Sequence, residues 1–292
     1  MKKHELEEHL ESVRQTIATS LAETAVGPMM PEFTHLVGAG KMLRARLALQ
    51  LGEAAGSDLQ VLIGAGAAIE LIHGASLLHD DVIDGANTRR RMPAFWVEKG
   101  VQGAILLGDL FFCRAVHLMN QYAEGRLTGI FVEKVCEMCD GETDQELVLR
   151  NTEPSWEKSV SIARRKTGSL FAFVGHAAGG ADSELCALLE ASAYDAGTAF
   201  QVADDLLDAS GDVEQAGKTL GTDAMRGKLT AATTLSVGGP DPRVFIKESI
   251  ASASQRLHGH PQVRAAWDRY VTDEMEKAFE TFMAGFTLPE YA

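Results

Sequence analysis

Positive charge is what this sequence has too little of. Its 292 residues carry 27 Lys and Arg against 41 Asp and Glu, a formal net charge of −14. A nucleic-acid binder needs a clustered basic face, so that class is excluded. Docking on an anionic membrane is disfavoured for the same reason. So is a polyanionic small substrate, unless cations are gathered locally or supplied as metal. Cysteine is scarce too. Cys113, Cys136, Cys139 and Cys186 are too few and too clustered for a disulfide framework. Cys136 and Cys139 form a C-x-x-C, but no second pair completes a tetrahedral zinc site, so they read as two small side chains on one helical face. Aromatic residues make up 7% of the chain, yet 46% is apolar, enough for a sizeable core. The N-terminus has no apolar stretch after its first charges, so no signal peptide is expected. No charge-free apolar run of 18 residues occurs, so no membrane span is expected. The expected location is the cytoplasm.

Period-two runs with hairpin turns are missing as well, and what remains reads as helix. Apolar residues recur at three and four in Leu6, Leu10, Val13, Ile17 and Leu21, and again in Val160, Ile162, Leu170, Phe171 and Val174. The eight prolines fall at plausible breaks. No repeat or low-complexity linker divides the chain, and the loop Val237-Gly238-Gly239-Pro240-Asp241-Pro242 comes too late to bound a second domain. The expectation is an all-α, single-domain bundle of long helices over residues 1–292, arranged around a central cavity.

The stretch from Val61 to Asp84 is apolar nearly all round, yet carries Glu70, His73, His79, Asp80, Asp81 and Asp84. Such residues are rarely buried unless paired or metal-bound, so these acids are expected to line a cavity. In His79-Asp80-Asp81-Val82-Ile83-Asp84, Asp80 and Asp84 are at i and i+4 and share a face. Oxygen-only ligands with room for water suit Mg²⁺. Taken alone, the motif reads equally as a solvated acidic helix end. A second copy, Asp204-Asp205-Leu206-Leu207-Asp208, follows 124 residues later after another apolar run. Two such clusters can face each other across a cavity. Mg²⁺ held by few carboxylates completes its shell with phosphate oxygens, so a phosphorylated substrate is implied.

The cations fall in matching places. Lys41 and Arg44 are three apart, on one face if helical. Arg89-Arg90-Arg91 follows the first motif, Lys166-Thr167-Gly168 opens or interrupts a helix, and Gly217-Lys218 and Gly227-Lys228 follow the second motif. Lys and Arg beside Gly-rich backbone suit a diphosphate.

With these blocks in order from Gly40 to Thr230, the sequence resembles the trans-isoprenyl (polyprenyl) diphosphate synthases. Gly108-Asp109-Leu110 and Gly141-Glu142 with Gln145 match further blocks of that family. The resemblance implies a helical bundle of isoprenoid synthase type, usually homodimeric. It implies head-to-tail condensation of isopentenyl diphosphate with an allylic diphosphate. Asp80, Asp84 and Asp204 would bind Mg²⁺, three ions in all, with Asp81, Asp205 and Asp208 in or near the same shell. Lys41, Arg44, His73 and Arg90 would hold isopentenyl diphosphate. Arg89, Lys166, Thr167, Gln201, Lys218 and Lys228 would hold the allylic diphosphate, with Lys166 also counted among the catalytic groups. Seven site cations (Lys41, Arg44, Arg89, Arg90, Lys166, Lys218, Lys228) against six motif aspartates leave this pocket at +1.

Product length is argued from Ala75 and Ser76, five and four residues before Asp80. Side chains one turn below the metal lie under the growing tail. A large aromatic at the fifth position closes the floor in short-chain relatives. Ala75 leaves it open, so products longer than C15 are expected, with Ile72, Phe111, Phe112 or His117 as deeper floors. The chain departs from the family at Arg91 (usually Gly), Ala45 (commonly Pro), Gly168 (usually Ala) and Ala231-Ala232 (usually Leu-Pro). A class I terpene cyclase would share the first motif but not Asp204-Asp205-Leu206-Leu207-Asp208. A non-catalytic partner subunit would characteristically lose aspartates that this chain keeps.

Overall fold

In a computed structural model of the chain, the described residues are 1–29, 36–38, 40–90, 92–123, 125–210, 227–235, 238–276 and 279. Arg91, Lys218 and the rest of 211–226 lie outside them. The helices are α1 (Lys3–Ala22), α2 (Leu43–Ala55), α3 (Leu59–Asp84), α4 (Phe95–Tyr122), α5 (Thr128–Thr143), α6 (Trp156–Ala163), α7 (Ser169–Ala178), α8 (Ser183–Ser210), α9 (Ala231–Leu235), α10 (Pro242–Arg256) and α11 (Pro261–Tyr270). Wider π-helical turns follow α5 (Asp144–Val148), α6 (Arg164–Gly168) and α11 (Val271–Met275). Among the described residues the only extended pairing is β1 (Thr88–Arg89) with β2 (Met92–Pro93), so the all-α expectation holds.

The chain forms two compact units, interleaved in sequence. The first comprises Met1–Thr88, Met92–Val132 and Val174–Ala187; the second comprises the described parts of Arg89–Arg91, Glu133–Phe173 and Leu188–Ala292.

In the first unit α1 buries Leu6, Leu10, Val13, Ile17 and Leu21, the stripe its periodicity predicts. Helix α3 packs most extensively on α4 and also against α2 and α1. It begins where the Asp58 carboxylate accepts the Gln60 and Val61 amides at 2.7 and 3.4 Å, a cap typically contributing about 1 kcal/mol. It ends at Gly85 in the left-handed region (φ 61°). Two glycines bring its neighbours close. A Cβ on Gly52 would lie 2.4 Å from Leu62, and one on Gly64 would lie 2.4 Å from Tyr122. Both α3 and α4 are long and apolar enough to cross a membrane by length and composition, with mean hydropathies of 1.7 and 1.4. Burial of 78% of the α3 window accounts for its apolarity as core, whereas only 33% of the α4 window is buried.

Glu70 departs from the cavity-lining expectation. Only 6% exposed, it accepts the Ala45 amide in the first turn of α2 at 3.3 Å. The positive end of that helix favours the carboxylate. Proline, common in the family at position 45, would lack this N–H.

In the second unit Lys134 is buried on α5 among Glu133 (3.3 Å), Glu137 (2.9 Å) and Glu190 (3.0 Å). Burial opposes its charge, but hydrogen bonding with Tyr194, Glu137 and Glu190 outweighs this and raises its pKa. The Tyr194 hydroxyl donates to Glu137, and Arg164 lies 3.7 Å over the Tyr194 ring centroid. Beside this cluster α8 comes unusually close to the 164–168 turn. A Cβ on Gly197 would sit 2.9 Å from both the Gly168 Cα and the Phe171 Cβ; one on Gly168 would sit 2.9 Å from Thr198 Oγ1 and 3.2 Å from the Tyr194 carbonyl. This crowding explains why position 168 is glycine where the family usually has alanine.

Two expected outcomes follow from the second unit. Gly197→Ala pushes on backbone that cannot swing aside and should destabilise the protein by about 1–3 kcal/mol. An unchanged urea midpoint would contradict the close approach. Tyr194 is pushed from 10.0 up to about 12, chiefly by burial and then by Glu137. A raised folded pKa means its contribution is complete below about pH 10 and lost as pH climbs through 12. Urea midpoints should therefore fall over that window, and less steeply in Tyr194→Phe.

Candidate active site

The first acidic motif closes α3. Asp80 and Asp84 are half-buried on one face, while Asp81 is 3% exposed. The Asp81 carbonyl accepts the Ala86 amide at 2.9 Å and the Val82 carbonyl accepts the Gly85 amide at 3.2 Å, so the helix stops immediately after its last ligand candidate. His79 turns away to tie α3 to α4. Its Nε2 lies 3.2 Å from the Ile105 carbonyl and 3.5 Å from Asp109, and its ring stacks on Phe112 at 6.0 Å. Gly108 permits this, because a Cβ there would sit 2.2 Å from Nε2.

One turn earlier, His73 is half-buried and Ala75 fully buried. The Ser76 hydroxyl donates back to the His73 carbonyl at 2.9 Å. Phe111, fully buried, lies beside this turn: a Cβ on Gly74 would be 3.4 Å from its ring.

Lys41 and Arg44 do not share a helical face as expected. Met42 is left-handed (φ 50°) and α2 starts at Leu43, which leaves Lys41 exposed before the helix and Arg44 buried inside it. The Lys41 carbonyl accepts from Arg46 Nε at 2.8 Å, and Arg46 pairs with Glu7 at 2.6 Å. Arg89 is half-buried in β1, and Arg90 is exposed in the hairpin with φ 51°.

In the second unit, Lys166-Thr167-Gly168 interrupts the helical run from α6 to α7, as expected, by forming a π-helical turn. Such turns are frequent at functional sites. Its neighbour Arg165 pairs with Asp140 at 2.8 Å and Asp144 at 2.5 Å; burial opposes its charge, but those carboxylates hold its pKa above the usual range. Lys166 donates to Gln145 at 2.8 Å and pairs with Glu142.

The second acidic motif is differentiated by its surroundings. Asp204 is half-buried, whereas Asp205 and Asp208 are 7% and 6% exposed. Asp205 accepts Gln201 Nε2 at 2.9 Å on one oxygen and the Ala231 amide at 3.0 Å on the other. The other end of the Gln201 amide accepts the Thr167 hydroxyl at 2.5 Å. Thr167, Gln201 and Asp205 thus form one relay ending at α9. Lys228 is buried and paired with Glu146 at 2.9 Å.

Glu146 was not among the residues singled out from sequence, and Glu142 and Gln145 were noted without a role. The signal was available: Glu142, Gln145 and Glu146 stand at i, i+3 and i+4, one helical face of acid and amide. Among the described residues, no three His, Cys, Asp or Glu converge into a preformed metal cluster. The donors in place, carboxylate oxygens in pairs or singly, fit a hard cation that takes the rest of its shell from water and phosphate.

Comparison with known proteins places the chain. Residues 29–262 match the polyprenyl synthetase family. The heptaprenyl diphosphate synthase component 2 of Geobacillus stearothermophilus is 29% identical over 281 residues, covering 91% of this chain and 88% of that protein. The octaprenyl diphosphate synthase of Haemophilus influenzae is 31% identical, covering 77% of this chain and 70% of its own. Among solved structures, a Thermotoga maritima geranyltranstransferase superposes with a TM-score of 0.76 at 26% identity, covering 95% of this chain and 99% of that one. A Caulobacter crescentus polyprenyl synthase complexed with calcium and isoprenyl diphosphate gives 0.73 at 28% identity, covering 96% and 90%. The chain belongs to the polyprenyl synthetase family, the all-α prenyltransferases that condense isopentenyl diphosphate with allylic diphosphates.

Proposed function

We infer that the protein makes an all-trans polyprenyl diphosphate longer than C15, using Mg²⁺. The observation that carries this reading is the pair of D-D-x-x-D motifs, each presenting a half-buried first aspartate at the end of a largely buried helix run. Asp80 and Asp84 on α3, and Asp204 on α8, are the residues that would hold Mg²⁺. When bound, the metal neutralises charge on a departing diphosphate. Lys166 and Arg89 bind the same leaving group. Its C–O bond breaks with both electrons going to oxygen, which leaves an allylic cation. The double bond of isopentenyl diphosphate supplies the pair for the new C–C bond, and a proton is then lost. Lys41, Arg44, His73 and Arg90 hold that second substrate. Thr167, next to Lys166 in sequence, and Gln201 are oriented by their mutual hydrogen bond.

Ala75 supports a long product, since it stands where a large aromatic would close the floor in short-chain relatives. Exposed apolar residues along α4 (Val101, Ile105, Leu106 and Val116) support a dimer of two copies. A second reading, one component of a two-component enzyme, is favoured by the name of the Geobacillus relative, "component 2".

The purified chain, given Mg²⁺ with farnesyl and isopentenyl diphosphates, is expected to yield products beyond C15 on chromatography. EDTA should abolish turnover, and Asp80→Ala or Asp204→Ala should lower kcat by about 10²–10³-fold. Turnover only on adding a second chain would establish the two-component reading instead. A product stopping at C15 would sink the long-chain assignment. If products are long, Ala75→Phe, or Ala75→Met should the Phe variant not fold, is expected to shorten them.

A further inference from the structure

We propose that Gln145 is a positioning residue for the condensation, the joint that holds Lys166 and the Gly227–Leu229 segment in one arrangement. This rests on the reading of Lys166 as a diphosphate ligand. The Gln145 side chain is 5% exposed and uses both ends of its amide. Its Oε1 accepts from Lys166 Nζ at 2.8 Å, and its Nε2 donates to the Leu229 carbonyl at 2.8 Å. The amide can sit only one way round, because an ammonium has no acceptor and a carbonyl no donor.

The surrounding contacts extend the same joint. Gln145 lies on the Asp144–Val148 turn, and Lys166 on the Arg164–Gly168 turn. Just before Gln145, Asp144 holds Arg165 at 2.5 Å. Just after it, Glu146 pairs with Lys228 at 2.9 Å, and the Asn151 amide donates to the Gly227 carbonyl at 2.9 Å. Gly227 is left-handed (φ 67°), and a Cβ there would be 2.0 Å from Asn151 Oδ1. The 144–151 stretch thus grips 227–229 at three successive residues and grips 165–166 at two. Among these contacts, those of Gln145 reach both. Among side chains of this length, a neutral amide meets both demands. A carboxylate at 145 would turn an acceptor toward the Leu229 carbonyl and add charge beside Glu142 and Glu146.

The test compares Gln145→Leu and Gln145→Glu with the intact enzyme, by steady-state kinetics for each substrate and by thermal unfolding. Loss of the joint is expected to lower kcat, or raise the allylic KM, by about tenfold, with the isopentenyl KM little changed. Gln145→Glu carries a further readout. Once protonated, its carboxyl again offers one acceptor and one donor. Its deficit relative to wild type should therefore shrink as pH falls from 8 toward the carboxyl range, about 4.3 when unperturbed. A residue that merely supports the fold gives no such recovery. If Gln145→Leu fails to fold, the pH profile of Gln145→Glu decides alone. Kinetics within about twofold of wild type in both variants, or a Gln145→Glu deficit flat across pH, would overturn the proposal. Lys166→Ala separates the two layers. If it leaves kcat and the allylic KM unchanged, the reading of Lys166 itself is wrong. If it cripples turnover while the Gln145 variants do not, only the present proposal falls.

Discussion

A carboxylate taken out of water must find donors for its oxygens, and Asp205 is the buried carboxylate that ties Gln201 and the start of α9 together in the second unit. It is 7% exposed, and each oxygen accepts a bond, one from Gln201 and one from the Ala231 amide. The first bond orients the Gln201 amide, so its oxygen is the end left to receive the Thr167 hydroxyl. The second fixes where α9 begins, and with it the Gly227–Thr230 approach that Gln145, Glu146 and Asn151 grip. Glu70 obeys the same demand in the first unit, where one oxygen accepts the Ala45 amide of α2. An acid in a buried helix is therefore not by itself a ligand. Asp80, Asp84 and Asp204 keep partial exposure, whereas Asp205 is buried with both oxygens hydrogen-bonded.

Charge tells a related story. Counted from sequence, seven site cations against six motif aspartates leave a surplus of one. Glu142 and Glu146 stand against two of those cations, Lys166 and Lys228. Including them turns the count to seven against eight. Two of the cations assigned to diphosphate are thus already paired with carboxylates, which supports the metal-dependent reading proposed above. The paired lysines gain a defined position in exchange, and in a low-dielectric setting position governs how strongly a cation acts on a developing anion.

Much of the architecture was legible beforehand. The α1 stripe, the interruption at Lys166-Thr167-Gly168 and the all-helical class all follow from periodicity and composition, because amphipathic spacing is a local property. The site was legible only as residue types. That Lys41 and Arg44 would not share a face depended on a left-handed Met42, and nothing in the spacing signals that. Glu146 passed unnoticed because its partner is 82 residues further along the chain. The departures at Ala45 and Gly168 looked like blemishes in a motif. One proves to be an amide that proline could not supply, the other a contact with no room for a methyl group.

Sequence by itself determined that this chain is helical, which aspartates recur at i and i+4, and which family it joins, since these rest on local spacing and motif order. Tertiary structure alone decided that Asp205 is bonded by Gln201 and the Ala231 amide while Asp80, Asp84 and Asp204 stay partly exposed. Whether a carboxylate is held for a cation or consumed by an amide depends on what a distant segment brings beside it. No count of neighbours along the chain contains that information.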